Sequence, residues 1–380
     1  MDVLPTPEVD EATIAPVVRR LLGRSDPITA WEIAPIGAAS LGLSGGLFRV
    51  TGTLVGGAAW SVVLKVLRPI APTFLARFPE SDRALLAEGY LWDREARLYD
   101  SGLLDELPSG FSAARGLGSQ RTGAACWLWF EDLGADTAPW DVSRYALAAS
   151  HLGRFNGAFL TTRPRPDDAW LCRDWIRTWL LRGHPSLHYP IVENAAIWEH
   201  ELVHRSFPAD TNARLRRAGA RRHELLDRLD ALPQTFCHMD AFRSNLFDRI
   251  IGGTHETVAI DWSYAGIAAI GVEVGQLVLA SVLPFADPTK DARELAAACV
   301  PAYVAGLRES GWRGDEADVH TGFALSAVRH VFMLGILNGV LDQQRAEQYA
   351  RWTGTPYPEL VARAARGTTH MLDLIESIPV

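Results

Sequence analysis

The sequence predicts an α+β protein built in two lobes, a small one around an antiparallel sheet and a larger, mostly helical one. Three observations predict it. The segment up to Gly134 holds short runs rich in β-branched residues, separated by glycine turns. From Val142 onward the pattern is helical, interrupted by one strand-and-turn region at Thr235–Asp261. And 380 residues are too many for one small domain and about right for two lobes. The boundary falls near Gly134, which gives an N-lobe of 1–133 and a C-lobe of 134–380.

The first element is a helix. Asp10 caps it, Ile14, Val17, Val18, Leu21 and Leu22 mark one face, and Gly23 ends it; Pro16 inside leaves its start open. Strands are expected at Ala30–Pro35, Leu47–Leu54 and Trp60–Leu67. The small-residue loop Ile36–Gly46 and the turn at Gly56-Gly57 join them into an antiparallel meander. Ser81–Tyr99 reads as one long helix, with Leu85, Leu86, Leu91, Trp92 and Leu98 as its apolar positions. Two strands then flank a glycine-rich turn at 116–123, and the second, Ala124–Phe130, runs into Glu131-Asp-Leu-Gly134. The longest apolar run, Ile267–Pro284, contains Gly271, Glu273, Gly275 and Gln276, so it reads as a loop and a buried helix rather than a membrane span. The arginine-rich stretch Arg214–Arg222 reads as a solvated helix face.

Composition excludes several classes. A net charge of −8 argues against nonspecific nucleic-acid binding through a broad basic surface. The acidic, proline-containing N-terminus is not a secretory signal. Cys126, Cys172, Cys237 and Cys299 are widely separated with no C-x-x-C pair, which fits neither a zinc site nor a disulfide framework but does fit a reducing cytosol. The expectation is a cytoplasmic protein with no nucleic-acid or membrane partner. Its oligomeric state is left open.

The chemistry concentrates in Phe236-Cys-His238-Met-Asp240-Ala-Phe-Arg243-Ser-Asn245-Leu-Phe247 and in Ile260-Asp261-Trp262. Apolar stretches flank Gly252-Gly253, which reads as a hairpin, and a hairpin brings its ends together. Asp240 and Asn245 then meet Asp261. Two carboxylates and an amide form an all-oxygen site, the donor set that suits Mg²⁺. The functional reading is phosphoryl transfer, with one Asp accepting the proton of an attacking hydroxyl. The plainer reading is a surface hairpin with a capping Asp. Lys65, alone in an apolar strand, needs an anionic partner or must snorkel from an edge. Glu88 and Glu95 are the candidates; seven residues apart, they share a helix face, and periodicity cannot choose between them. Ser40, Gly42, Ser44, Gly45 and Gly46 can cradle a phosphate through backbone N–H groups, although such a loop taken alone reads first as a plain hairpin turn.

The His238–Asn245 segment together with Ile260-Asp261-Trp262 resembles the catalytic loop and metal-binding motif of the aminoglycoside phosphotransferase and choline kinase group, small-molecule kinases with a protein-kinase-like fold. Val63-Leu-Lys65-Val resembles the strand whose lysine contacts the α/β-phosphates, Arg94-Glu95-Ala96 the helix motif whose Glu pairs with it, and Trp127–Gly134 the hinge between lobes. The resemblance implies a bilobal protein-kinase-like fold and Mg²⁺-dependent transfer of the ATP γ-phosphoryl group to a hydroxyl of a small-molecule acceptor (an aminoglycoside-like antibiotic, a sugar or an amino alcohol). It implies Asp240 as the base and Asn245 and Asp261 as the Mg²⁺ ligands. Lys65, paired with Glu95, would position the phosphates, with Ser44 and Gly45 in the phosphate loop. The Glu131 carbonyl and Leu133 amide would contact the base.

The sequence departs from that pattern in places. There is no G-x-G-x-x-G. Met239 stands where Gly or Asn is usual, and a change in packing is expected from it. No Gly-Asp-Pro follows Asp261, and Glu273 is expected to take over the helix-capping role of the missing acid. His238 is expected to be structural, bonding backbone near the metal loop, and His151 and Asn156 to pack against the catalytic loop. Arg243 either touches phosphate or pairs with Asp240. Trp170, Trp175 and Trp179 either fill the core or face an acceptor pocket, and Asp167, Asp168 and Asp174 either attract an amine-bearing acceptor to it or are loop and cap residues. The alternative from another class is a catalytically inactive nucleotide-binding sensor or scaffold. A protein kinase is disfavoured by the absence of Ala-Pro-Glu and the short turn after Asp261. The choice between ATP and GTP stays open.

Overall fold

The structure is a computed structural model that describes residues 6–36, 45–135, 138–287 and 289–379. Helix α1 (Glu11–Leu22) begins where the Asp10 carboxylate accepts the Thr13 N–H and ends at Gly23, whose φ of 69° is the left-handed cap a glycine provides cheaply. Its buried Ile14, Val17 and Val18 pack on the main sheet with Phe48, Val50, Trp60, Val62, Leu64 and Trp129.

That sheet has the order β1-β2-β3-β6-β5. Strands β1 (Ile28–Pro35), β2 (Gly46–Leu54) and β3 (Ala59–Leu67) form the expected meander. A strand stands ahead of residue 116 as expected, the short β4 (Phe111–Ala113), but it lies elsewhere, parallel to a later strand, and does not pair with the strand after the turn. The expected turn at 116–123 is corrected. Strand β5 occupies Gly116–Thr122, and the chain reverses at Gly123, φ 59°, before β6 (Ala125–Glu131). The first glycines serve a register shift between Gly116 and Gly118 and a close approach to Tyr99 rather than a turn.

The single helix expected over 81–99 is also corrected. It is two helices, α2 (Glu80–Gly89) and α3 (Arg94–Asp100). Gly89 lies against the Trp175 ring, where even a Cβ would be only 3.0 Å away. Its carbonyl accepts from Arg94 Nη2 at 3.0 Å, and Tyr90 turns edge-on to Trp175. Leu85, counted as an apolar-face position, is exposed.

Helix α4 (Val142–Thr161) crosses the later Ala292–Glu309 helix so closely that a Cβ on Gly153 would sit 2.1 Å from the Tyr303 carbonyl oxygen. Helix α5 (Thr211–Ala220) carries Arg214, which is buried rather than solvated as expected. Its guanidinium grips Glu376 at 2.7 Å and Asp373 at 2.8 Å on the C-terminal helix, and four hydrogen bonds to two carboxylates make its burial affordable.

Strand β7 (Gln234–Cys237) pairs with β10 (Gly266–Ala269). The expected hairpin is β8 (Leu246–Ile251) and β9 (Thr254–Ala259), turned at Gly252 and Gly253 with φ of 59° and 82°. Two positive φ angles in a two-residue loop match the right-handed twist of the strands. Helix α6 (Val272–Ala280) is buried along its whole length, as the apolar run implied. A core of Leu67, Ala96, Cys126, Leu128, Phe130 and Val258 joins the sheet, α3 and β9, and brings the hairpin beside Lys65. The four cysteines are buried and free. Among the described residues no helix is long and apolar enough to cross a membrane.

Candidate functional site

Alternation along β3 sends Trp60, Val62 and Leu64 into the sheet core and Lys65 to the opposite face. Lys65 Nζ meets Glu95 Oε2 at 2.5 Å and Asp261 Oδ1 at 2.7 Å. The break between α2 and α3 decides between the two glutamates: Glu88 is exposed, whereas Glu95 is 1% exposed and also accepts the Trp262 N–H at 3.1 Å. Burial works against the Lys65 charge, but the Asp261 and Glu95 carboxylates outweigh it and hold its proton more tightly than usual. Burial also pushes Asp261 up, but the ammonium and the Ser263 hydroxyl bring it down to about 2. At Glu95 burial outweighs Lys65 and the net shift is upward. Asp261 has φ 59°, a left-handed backbone that Asp tolerates better than most residues and that aims its carboxylate back at Lys65.

The segment after β7 is held from several sides. His238 is buried; its Nε2 donates to the Ile260 carbonyl at 2.8 Å and its Nδ1 accepts the Asp240 N–H at 3.2 Å. Burial keeps the ring neutral, down at about 4. This is the structural role expected of it. Met239 is buried with φ 64°, so the chain here needs the left-handed backbone that Gly or Asn adopts cheaply. The substitution therefore alters backbone energetics as well as packing.

Glu273 does not cap its own helix, which begins at Gly271 without a side-chain cap. Instead its two carboxylate oxygens accept the His238 N–H at 2.6 Å and the Met239 N–H at 2.9 Å. Burial pushes Glu273 up to about 7 against the pull of those two amides. The expected capping role is thus corrected: the acid braces the loop ahead of Asp240. Asn156 behaves as expected, donating to the Phe236 carbonyl at 2.8 Å next to that loop. His151 instead bonds Thr257 on β9 at 2.9 Å.

Asp240 is nearly buried. Its Oδ1 accepts from Arg329 Nη2 at 2.9 Å and from Gln276 Nε2 at 3.0 Å, and its Oδ2 from Asn245 Nδ2 at 3.2 Å. Burial raises it to about 6, with Arg329 opposing. Arg329 also donates to the Met239 carbonyl, and His330 Nε2 meets Gln276 Oε1 at 2.8 Å. Sequence reasoning missed Arg329 and Gln276. Arg329 lies 89 residues downstream in no motif. Gln276 had a usable signal, since it lies one turn beyond Glu273 on the same helix. Arg243 donates to the Leu246 and Ala138 carbonyls and lies over the Trp140 ring.

The Asn245 side-chain N–H groups face Asp240, which leaves its Oδ1 as the metal-capable atom. Its backbone carbonyl accepts the Ile260 N–H at 2.9 Å, tying it to the residue before Asp261. No group of three or more His, Cys, Asp or Glu among the described residues could hold a metal. The chain therefore offers a cation an Asn and an Asp, hard oxygens with most of the shell left over. That fits Mg²⁺, which keeps waters and phosphate oxygens as ligands.

Further out, the Glu131 N–H donates to the Arg115 carbonyl, and its carboxylate accepts from the Arg115 N–H and from Arg249. Asp132 takes Arg49 bidentately at 2.7 and 3.0 Å and Ser61 at 2.5 Å, fixing the backbone just ahead of half-buried Leu133. The Gly45 N–H is engaged by the Val66 carbonyl at 2.7 Å, and a Cβ there would strike Val66 at 2.4 Å, so only glycine fits. Ser44 and most of its loop lie outside the described residues. Trp175 is buried and stacks on Trp179 at 5.6 Å, and Trp170 is partly buried against the core. Half-buried Tyr90 and Tyr264 carry that ring cluster toward Arg329 and Asp240. Asp167, Asp168 and Asp174 are exposed.

No protein-family model matches the sequence, and no curated protein matches it. Solved structures do. A microcompartment-associated aminopropanol kinase is similar over 95% of this chain and 97% of its own, with a TM-score of 0.50 at 13% identity. The choline kinase of Cryptosporidium parvum Iowa II (TM-score 0.47, 12% identity, 91% of this chain and 89% of that one) is also similar. So is amicoumacin kinase in complex with AMP-PNP (0.46, 14%, 88% and 89%). The chain has a protein-kinase-like fold, the fold of these small-molecule kinases.

Proposed function

We propose that this protein is a kinase that transfers the γ-phosphoryl group of ATP to a hydroxyl of a small molecule, with an N-lobe of 1–133 carrying the nucleotide and a C-lobe of 134–380 carrying the acceptor. The observation that supports it above the others is the meeting of Lys65 with both Glu95 and Asp261, while Asn245 joins Asp261's hairpin to Asp240. These contacts support the reading, because they set a cation against Asp261 and hold Asn245 on Asp240.

In this reading Lys65, fixed by Glu95, presents its ammonium to the α/β-phosphates. Asn245 and Asp261 would hold Mg²⁺, which would supply positive charge to offset that of the phosphate oxygens. Asp240 accepts a hydrogen bond from the acceptor hydroxyl, orients it and takes its proton. Arg329, Gln276 and Asn245 fix the Asp240 carboxylate, and Glu273 holds the loop before it. The backbone at Glu131 and Leu133 meets the base, and the loop with Ser44 and Gly45 meets the phosphates. The acceptor is a hydroxylated small molecule such as an antibiotic, a sugar or an amino alcohol. Free, buried cysteines fit a cytoplasmic setting.

A calorimetric titration with AMP-PNP tests the nucleotide half. Binding should require Mg²⁺, weaken at least tenfold in K65M and D261A, and persist in D240A. No AMP-PNP binding, or Mg²⁺-independent binding unchanged in D261A, would refute it.

A further inference from the structure

Two buried polar side chains stand behind Asp240. Gln276 lies on α6, and His330 follows the 3₁₀ turn Ala327–Arg329 that also delivers Arg329. They are 3% and 4% exposed. Two contacts link them to the proposed base: His330 Nε2 lies 2.8 Å from Gln276 Oε1, and Gln276 Nε2 lies 3.0 Å from Asp240 Oδ1. The direction of this chain follows from its chemistry. An ionised carboxylate only accepts, so the Gln276 amide turns its NH₂ to Asp240 and its oxygen to His330, and that oxygen needs a donor. Burial and the adjacent Arg329 charge hold His330 well below its ordinary pKa, so the ring is neutral and carries one proton. Both contacts are satisfied only when that proton sits on Nε2. The other nitrogen, Nδ1, lies 3.4 Å from the Met333 thioether, which accepts too weakly to draw the proton away.

The two oxygens of Asp240 are held unequally. Oδ1 takes both Gln276 and Arg329 Nη2, the latter at 2.9 Å, whereas among the described residues Oδ2 takes only Asn245 Nδ2 at 3.2 Å. Oδ1 is the anchored oxygen, and Oδ2 keeps the capacity to accept a hydroxyl proton. We propose that His330 is a positioning residue for phosphoryl transfer: by donating to Gln276 it fixes which way that amide faces, anchors Asp240 Oδ1, and so presents Oδ2 to the acceptor hydroxyl. The proposal rests on the kinase reading above. His330 touches neither Asp240 nor, in that reading, any substrate, and acts through Gln276. Without a donor at position 330 the Gln276 oxygen is left buried and unpaired. The side chain escapes that cost by rotating to another donor, and its N–H then leaves Asp240 Oδ1.

The test measures transfer from γ-labelled ATP, with Mg²⁺ and a panel of hydroxylated antibiotics, sugars and amino alcohols, by the full chain and by H330Q, H330N, H330L, Q276L and H330L/Q276L. A melting curve accompanies each variant. H330Q keeps an N–H at the reach of Nε2, H330N falls one methylene short, and H330L has no donor. The proposal expects kcat at least about tenfold lower in H330N and H330L with nucleotide KM nearly unchanged, and recovery toward wild type in H330Q. H330L/Q276L should be no slower than Q276L, because both changes break one chain. Separately from turnover, the ¹⁵N spectrum of the histidine-labelled protein, with His330 assigned by its loss in H330Q, should show the Nε2–H tautomer, and this measurement stands if the variants fold poorly. H330L at the wild-type kcat, H330Q as slow as H330L, losses that add in the double variant, or a proton on Nδ1 would overturn the proposal. A wild type that transfers label to no acceptor would overturn the kinase reading and His330's part in it, so the two failures are told apart by the wild type alone.

Discussion

Replacing Lys65 with Met removes the cation shared by Glu95 and Asp261, and the structure indicates what that costs. Exposed ion pairs contribute about 0–1 kcal/mol, whereas breaking a buried one costs about 3–5 kcal/mol because the remaining charge is stranded. Lys65 and Glu95 have side chains 13% and 1% exposed, which places the pair in the buried regime. Asp261 is 40% exposed and can turn its charge to water, so the cost falls mainly on Glu95, whose one other hydrogen bond among the described residues is the Trp262 N–H. K65M should therefore lose about 3 kcal/mol. E95Q leaves the ammonium paired with Asp261 and should cost about 1–2 kcal/mol, and K65M/E95Q should be more stable than the sum of the two by about 2 kcal/mol. Once the cation is gone, burial raises Glu95 further above its unfolded value. Its protonation then relieves K65M at low pH, and the penalty grows as pH rises above the ordinary carboxylate range. Urea denaturation followed by circular dichroism at pH 6 and pH 8 measures the cycle. Singles that add to the double within about 0.5 kcal/mol would show that no buried coupling exists, and a K65M as stable as wild type would refute the reasoning outright.

Arg329→Ala removes charge-assisted hydrogen bonds to Asp240 and to the Met239 carbonyl, worth about 1.5–3 kcal/mol, so kcat should fall by roughly 10- to 150-fold with nucleotide KM nearly unchanged; an unchanged kcat in steady-state assays would remove Arg329 from its positioning role. Gly153→Ala drives a Cβ into the Tyr303 backbone and should cost about 3 kcal/mol or more. Gly157→Ala meets the Ser310 Cβ at 2.8 Å and the Leu307 Cα at 3.2 Å, a looser approach than at Gly153, and should cost about 1–2 kcal/mol, so urea midpoints in the reverse order would contradict the close crossing of α4. Burial, with help from Arg154 and Arg77 respectively, holds His151 and His188 down at about 4. The unfolded chain takes up those protons first, near pH 6.5, so their contribution is intact above that pH and is lost as pH falls toward 4, about 2 kcal/mol each by pH 5. Glu273, raised to about 7, acts in the opposite sense over the same window. His188→Phe should therefore shrink the stability difference between pH 7 and pH 5 by about 2 kcal/mol, and a difference as large as that of wild type would count against a buried neutral ring.

The local features of this fold were legible in the sequence. Asp10 and Gly23 bound α1, the glycine pair at 252–253 turns the β8–β9 hairpin, and the alternation of β3 isolates Lys65, because each depends on a few neighbouring residues. The spacing of Asp240, Asn245 and Asp261 was readable for the same reason, since one hairpin brings them together. What was not legible came from distant packing. The break between α2 and α3 is made by Trp175 and Arg94 acting on Gly89, and that break, rather than helical periodicity, puts Glu95 on Lys65 and Glu88 in solvent. Glu273 was singled out, but its destination was not, since reaching the His238 and Met239 amides depends on how α6 docks on β7 and the loop after it. Arg214 and Arg329 each meet their carboxylates across the C-lobe, where charge patterning along one helix carries no information.

The central claim is that Asp240 activates a hydroxyl for phosphoryl transfer from ATP. The direct measurement uses ATP labelled in its γ-phosphoryl group, Mg²⁺ and a panel of hydroxylated antibiotics, sugars and amino alcohols, with wild type and Asp240→Ala compared side by side. The account predicts label covalently attached to at least one acceptor, with transfer at least about a thousandfold slower in the variant and AMP-PNP binding retained. Transfer by Asp240→Ala at the wild-type rate, or no labelled acceptor from a wild type that binds AMP-PNP and Mg²⁺ normally, would contradict it, and the latter would leave a nucleotide-binding sensor in its place.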